Sequence, residues 1–188
     1  MKILSTELLA STSWLRFVER RYLDRDGRES AWTYVERTGK RPAVLIIART
    51  EKTGRVVLIR QYRVPLDCYA LEFPAGLPDE GEDITETARR ELLEESGFDG
   101  RIISISPVLC SSPGLTNETV SIVTMEVPEE PARAPAPDAS EEIEVLVLSM
   151  DELGALIEGA TSGMSGASGV SAGLIIDSRL YSWWKTGR

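Results

Sequence analysis

GLPDEGEDITETARRELLEESGF, residues 76–98, is the stretch on which the reading of this chain turns. It sets three glutamates, Glu91, Glu94 and Glu95, within one turn of an expected helix, behind Arg90 and ahead of Gly97. At about 100° per residue, Glu95 lies about 40° from Glu91 and Glu94 about 60° to its other side, so all three leave one face. Like charges at this spacing cost an isolated helix roughly 0.2–0.5 kcal/mol per pair. They flank the apolar stripe Ile84, Ala88, Leu92 instead of opposing it, which sets them at the rim of the core. Carboxylates crowded at such a rim call for a counter-charge, and a hard divalent cation with oxygen ligands supplies one. An acidic surface helix ended by a glycine would explain Glu86, Arg90 and Gly97. It would leave the clustered carboxylates, the Gly76 turn and Glu82 without a cause.

Composition is consistent with that chemistry and removes others. The 188 residues form one good-sized domain, or one with a small appendage; 42% are hydrophobic and 27% charged, ordinary for a globular protein. There is no histidine, which excludes imidazole bases, His-based triads and His-ligated zinc. Catalysis therefore falls to carboxylates, metals, arginines or hydroxyls. The net charge of −9 argues against a nucleic-acid partner. The same charge repels an anionic diphosphate unless cations are bound first. Cys68 and Cys110 give no disulfide framework and read as small apolar residues. No apolar run has membrane-spanning length, and MKILSTELLASTSW has no signal-peptide cleavage pattern; the expected location is the cytoplasm, with no membrane partner.

Patterning along the chain predicts a hairpin or meander over 14–38, turning at Arg25-Asp26-Gly27. AVLIIA and VVLIRQY read as strands split by the turn Glu51-Lys52-Thr53-Gly54, followed by a short strand Ala70–Phe73. The motif helix is expected from about Ile84 to Ser96, then strands at RIISIS, ETVSIVTMEV and EIEVLVLS. PEEPARAPAPDAS, 128–140, reads as an exposed loop. Ser149 with Glu152 forms a capping box for DELGALIEG, and a Gly/Ser stretch, 161–173, reads as a flexible connection before a last helix near IIDSRLYSWWK. Strands interspersed with few helices predict an α/β fold, an α+β sandwich with a mixed sheet between helices.

The spacing is diagnostic. From Gly76, five residues intervene before Glu82 and seven more before Arg90-Glu91-Leu92, with Glu94-Glu95, Gly97 and Phe98 completing the pattern. This resembles the signature of the Nudix hydrolases at all nine constrained positions. Arg60-Gln61-Tyr62-Arg63-Val64-Pro65, Leu71-Glu72-Phe73-Pro74-Ala75-Gly76 and Ser112-Pro113-Gly114-Leu115-Thr116-Asn117-Glu118 look like the ADP-ribose pyrophosphatase (ADP-sugar diphosphatase) branch. The similarity runs from about Trp14 to Lys185 and departs mainly at 161–173, where relatives tend to be helical.

The resemblance implies an enzyme that hydrolyses the diphosphate of ADP-ribose or a related nucleoside diphosphate sugar. It implies Mg²⁺ or Mn²⁺, more than one ion per site, held by Glu91, Glu95 and the Ala75 carbonyl, with Glu94 either a ligand or a support. Glu82 and Arg90 fit as structural partners. Arg63 and Arg37 are candidates to clamp phosphates, against a plain reading as strand-end surface arginines. Pro113 and Gly114 are candidates for substrate contact. Trp14 and Trp32 would stack on the two faces of adenine, one from each subunit of a homodimer, against a reading as packing residues. That dimer would form through an N-terminal antiparallel β subdomain, 1–40, beside a hydrolase domain, 41–188. Among Glu141, Glu142 and Glu144, Glu141 is the first candidate for a general base acting on metal-acidified water, and Glu144 the alternative ligand or base. GDP-mannose, ADP-glucose or an oxidised nucleotide are competing substrates. A non-catalytic ligand sensor is the competing class, weakened here by an intact acidic box and the lack of a basic helix-turn-helix.

Overall fold

Branched apolar runs become strands wherever a turn signal closes them. The computed structural model, which describes residues 1–38, 42–138, 141–162 and 173–187, places β1 at Lys2–Ser11, β2 at Leu15–Leu23, β3 at Glu29–Arg37, β4 at Ala43–Thr50, β5 at Val56–Arg63 and β6 at Cys68–Glu72. The two-residue β7, Ala75–Gly76, leads into α1, Ile84–Ser96. Then follow β8 (Arg101–Ile105), β9 (Leu109–Cys110), β10 (Thr119–Val127), β11 (Ile143–Leu148), α2 (Met150–Ser162), β12 (Leu174–Ile176) and α3 (Ser178–Thr186).

The described chain divides into two units. The first, Met1–Ala43 with Ser106–Ser121, is built on the antiparallel sheet β1-β2-β3. The second, Val44–Ile105 with Ile122–Arg188, carries most of a larger sheet ordered β12-β6-β5-β4-β10-β8, with β11 on β5, β7 on β4 and β9 on β10. β12 runs parallel to β6, whereas β4, β6 and β11 run antiparallel to β5, so this sheet is mixed as expected.

Strand alternation sorts the second unit's sheet into two faces. Val57 packs with Val44, Ile46, Ala48, Val123, Met125 and Val127 against Ala88 and Leu92 of α1. Burial of each larger side chain there contributes roughly 1.5–3 kcal/mol. By alternation Ile59, Gln61 and Arg63 share that face, and the pairing Ile59↔Glu72 brings Glu72 to it. Arg60, Tyr62, Tyr69 and Leu71 point the other way, as does Phe73, which meets Trp183 of α3 edge-on at 5.4 Å.

Local chemistry fixes α1. The Asp83 carboxylate accepts from the Thr85 and Glu86 amides at 2.7 and 2.9 Å, and the Glu86 carboxylate accepts from the Asp83 amide at 3.0 Å. This reciprocal cap stabilises the start by about 1 kcal/mol. Gly97 ends the helix at φ 78°, its amide donating to the Leu93 carbonyl at 3.0 Å. A Cβ on Gly97 would also run into the Arg133 carbonyl. Gly97→Ala should therefore cost about 2–3 kcal/mol, left-handed backbone strain plus a backbone collision. Urea unfolding reads this as a lower midpoint at constant m-value; an unchanged midpoint would mean that the collision is relieved without cost.

Four strands escaped the sequence: the two-residue β7 and β9, and β1 and β12. β1 lacks strict alternation and is exposed along its whole length. β12 is three residues long and is held by its register on β6. The Ser149–Glu152 capping box forms as expected, at 2.7 and 3.2 Å. α2 continues to Ser162, two residues into the stretch expected to be a flexible connection; residues 163–172 of that stretch lie outside the described residues, as do 39–41, where the 40/41 boundary was expected.

Candidate active site

Arg90 organises the acidic helix. Its Nε and Nη2 grip Glu82 at 2.7 and 2.9 Å, its Nη2 also donates to the Leu77 carbonyl at 2.9 Å, and its Nη1 reaches Glu91 and Glu94 at 2.9 and 3.0 Å. The guanidinium, with bonds from the Asp79 amide and the Thr87 hydroxyl, holds the Glu82 carboxyl down at about 2. Loop and helix are thereby locked before any ligand arrives, which suits the structural part expected of this pair.

Glu91 and Glu95 form the buried half of the cluster. Glu95 is 3% exposed, and one oxygen accepts from the Ala75 amide at 3.0 Å. Burial, reinforced by the charges of Glu91 and Glu141, pushes its carboxyl up to about 8. Burial raises Glu91 as well, against the pull of Arg90. Gly76 admits this arrangement: a Cβ there would overlap the Glu91 carboxylate. Among the described residues no three His, Cys, Asp or Glu side chains converge into a ready-made metal cage. Glu91 and Glu94 are turned to Arg90 and Glu95 to the Ala75 amide. The donor set nevertheless fits a hard divalent cation. Two carboxylates forced together out of water are destabilised without a positive charge, and Mg²⁺ takes one or two protein carboxylates with the remaining positions left to water and phosphate.

On the same sheet face, the Arg63 fork engages Glu72 at 2.7 and 2.8 Å through Nε and Nη2; Nη1 is not part of that pair. Hydrogen bonding to Glu72 raises Arg63 above its ordinary pKa, with Glu95 and Glu141 adding to it, so all four charges share one field. In the sequence Glu72 stands within a strand and a family-like segment but with no role of its own; the signal that exposes its part is the register that sets it beside Arg63.

The Pro/Ala segment is surface chain, but it is fastened. Glu129 accepts from the Lys52 and Thr53 amides at 2.8 and 3.1 Å. The Ala132 and Arg133 amides reach the Gly97 carbonyl at 2.8 and 3.3 Å, and the Ala136 amide reaches that of Glu94 at 2.8 Å. The strap thus caps the open carbonyls of α1 and leads to Glu141, whose charge bears on Glu91, Glu95 and Arg63. Glu144 is not brought there. It points to the opposite sheet face and pairs with Arg60 at 2.9 Å.

In the first unit, a groove of about 500 Å³ is lined by Trp32, Tyr34, Arg20, Pro113, Asn117 and Glu118 among others. The Trp32 indole donates to the Gly114 carbonyl at 3.1 Å, and the Val35 amide reaches Leu115 at 2.8 Å, so Pro113 and Gly114 are tied to β3 beside the tryptophan. Arg37 pairs with Glu118 at 2.8 Å. Arg20, which the sequence did not single out, donates to the Tyr34 hydroxyl at 2.8 Å and leans over its ring. Trp14 and Trp32 are 70% and 52% exposed. They are not together: Trp14 precedes the Leu15↔Arg37 pair, whereas Trp32 opposes Arg20, six residues beyond Trp14, a separation of roughly 20 Å at about 3.3 Å per residue.

A capped helix carrying buried and half-buried glutamates against a mixed sheet defines a carboxylate-based site of the kind that holds cations. The chain belongs to the Nudix family, the NUDIX domain matching residues 39–165. Over 96% of its length it is 30% identical to the ADP-sugar pyrophosphatase of Mus musculus, spanning 84% of that protein. It is 49% identical over 72 residues, 38% of this chain and 31% of the other, to the ADP-ribose pyrophosphatase of Saccharomyces cerevisiae. A crystal structure of an ADP compounds hydrolase superposes with TM-score 0.71 at 24% identity, over 99% of this chain and 94% of that one, which shows the shared fold.

Proposed function

We propose that this protein is a metal-dependent hydrolase of ADP-ribose or a related nucleoside diphosphate sugar, releasing AMP and a sugar phosphate. The observation that carries this is the pair Glu91, half-buried, and Glu95, buried, mutually repelling and raised in pKa beside Gly76. The resemblance to the mouse ADP-sugar pyrophosphatase supports the substrate class.

Glu91, Glu95 and the Ala75 carbonyl would hold Mg²⁺ or Mn²⁺, more than one ion per site, with Glu94 released from Arg90 to assist. Such ions neutralise diphosphate charge and make the attacking water more acidic. Glu141 accepts the water's proton as the water oxygen bonds to one phosphorus and the bond from that phosphorus to the bridging oxygen breaks. Arg63, steadied by Glu72, offers a guanidinium N–H to the phosphate oxygens as negative charge develops. Each product leaves with one phosphate. Turnover of a nucleotide-sugar panel, with ADP-ribose, ADP-glucose and GDP-mannose compared with and without Mg²⁺, tests this. ADP-ribose should turn over fastest and only with metal; no metal-stimulated release of AMP from any ADP-sugar would end the proposal.

Recognition of the base would fall to the groove at Trp32, and Arg37 stays a candidate to clamp phosphate. Trp14 and Trp32 of one chain are too far apart to grip a purine from both sides, which supports a homodimer in which each subunit supplies one. Ile3, Leu4, Leu8 and Leu9, all exposed on β1, supply apolar surface for that association. The free thiols Cys68 and Cys110 suit a reducing cytoplasm. Among the described residues, no helix is long and apolar enough to cross a membrane. Base–aromatic stacking contributes about 1–3 kcal/mol, so Trp32→Ala should raise KM for adenine nucleotides about tenfold or more with little change in kcat. An unaltered KM would return Trp32 to a packing part.

A further inference from the structure

Beyond the acidic cluster, the sheet face turned away from it carries a polar network that none of the chemistry above uses. Tyr69 of β6 donates its hydroxyl to the Glu142 carboxylate. The Tyr69 ring is itself held on two sides. The Arg60 guanidinium stacks over it at 3.7 Å, and Tyr62 meets it edge-on at 5.4 Å and 73°. Arg60 is fixed in turn by Glu144 at 2.9 Å. The backbone is caught as well, since the Tyr62 amide donates to the Glu142 carbonyl at 3.3 Å. Hydrogen bonding to Glu142 raises the Tyr69 pKa above its ordinary value, and the neutral hydroxyl is the donor in this pair.

Glu142 adjoins Glu141. The two side chains serve opposite sides: Glu142 is held on the face of Arg60 and Tyr69, while Glu141 acts on Glu91, Glu95 and Arg63. Upstream, the Ala136 amide is anchored on the Glu94 carbonyl, and a local turn closes next to Glu141, whose amide donates to the Asp138 carbonyl at 2.8 Å while its carboxylate accepts from the Asp138 amide at 3.2 Å. The anchor at Glu142 fixes the downstream side of that turn, so the two together set where Glu141 can go.

We propose that Tyr69 is a positioning residue for the general base, acting through Glu142 to hold Glu141 toward the carboxylate cluster. This rests on the reading of Glu141 as base. Removing a well-placed base costs about 10²–10⁴-fold in rate, and loosening its anchor should forfeit part of that.

The experiment is a double-mutant cycle in the full chain with ADP-ribose and saturating Mg²⁺. Tyr69→Phe, which deletes only the hydroxyl, should lower kcat about tenfold, with KM and the Mg²⁺ dependence within about twofold. Glu142→Ala attacks the same bond from its other end and should match it, and the two together should be no worse than either alone. In a Glu141→Gln background, adding Tyr69→Phe should change kcat by less than about twofold. A general loosening of the fold would instead lower kcat in both backgrounds. Wild-type kcat in Tyr69→Phe, or an equal loss in the Glu141→Gln background, overturns the inference while leaving the base intact. Full turnover in Glu141→Gln overturns the base assignment and this inference with it.

Discussion

Glu95→Gln should yield a protein that melts higher than its parent in the absence of metal, yet turns over at least about 10³-fold more slowly in its presence. The two effects share one cause. At 3% exposure the Glu95 carboxylate is poorly solvated, and its carboxyl is raised from 4.5 to about 8. Half of that displacement already corresponds to roughly 2 kcal/mol of destabilisation in the charged form at pH 8. Glutamine keeps an oxygen for the Ala75 amide and removes the charge, so a Tm gain of about 4–8 °C is expected for a chain of this size. The same substitution deprives a cation of an anionic ligand, and several kcal/mol of transition-state charge stabilisation go with it. Calorimetry and steady-state assays on one preparation read both. A lower Tm together with unimpaired turnover would mean that Glu95 is a structural acid with no part in the reaction.

Magnesium should stabilise the protein far more at pH 8 than at pH 6. A carboxyl whose folded pKa lies above its unfolded value keeps a proton, between about 4.5 and 8, that the unfolded chain has released. Metal-free stability therefore declines as pH rises through that window. A cation must displace the proton, so its apparent affinity climbs by up to about tenfold per pH unit below 8 and levels off above it. With ligand near 100 times its dissociation constant the stabilisation is about 2.7 kcal/mol; two units lower in pH most of it disappears. Titrations of Tm against Mg²⁺ at pH 6, 7 and 8 measure this directly. A pH-independent shift would place the ion away from Glu95.

The motif helix was legible in the sequence because its signals are local. Helical spacing groups the glutamates, and Gly97 marks the end. The strands β4 and β5 were legible for the same reason, as continuous branched runs between turns. What escaped depends on pairing. β1 has no buried face to impose alternation, and β12 has too few residues to declare a period. Glu72 acquires its partner, Arg63, through the β5–β6 register. The separation of Glu141 from Glu144 likewise needed the geometry of β11, since adjacent acids in a sequence carry no label for the side of a sheet they will face. Tyr69 was invisible for the same reason.

The strap from Glu129 to Ala136 has a mechanical consequence. It hangs from carbonyls at the C-terminal end of the helix that bears Glu91 and Glu95, so the segment ahead of Glu141 and the acids proposed to hold the cation are mounted on one support. Unwinding a single turn there would displace the strap and the acidic helix face together, so the two proposed halves of the reaction share one point of failure.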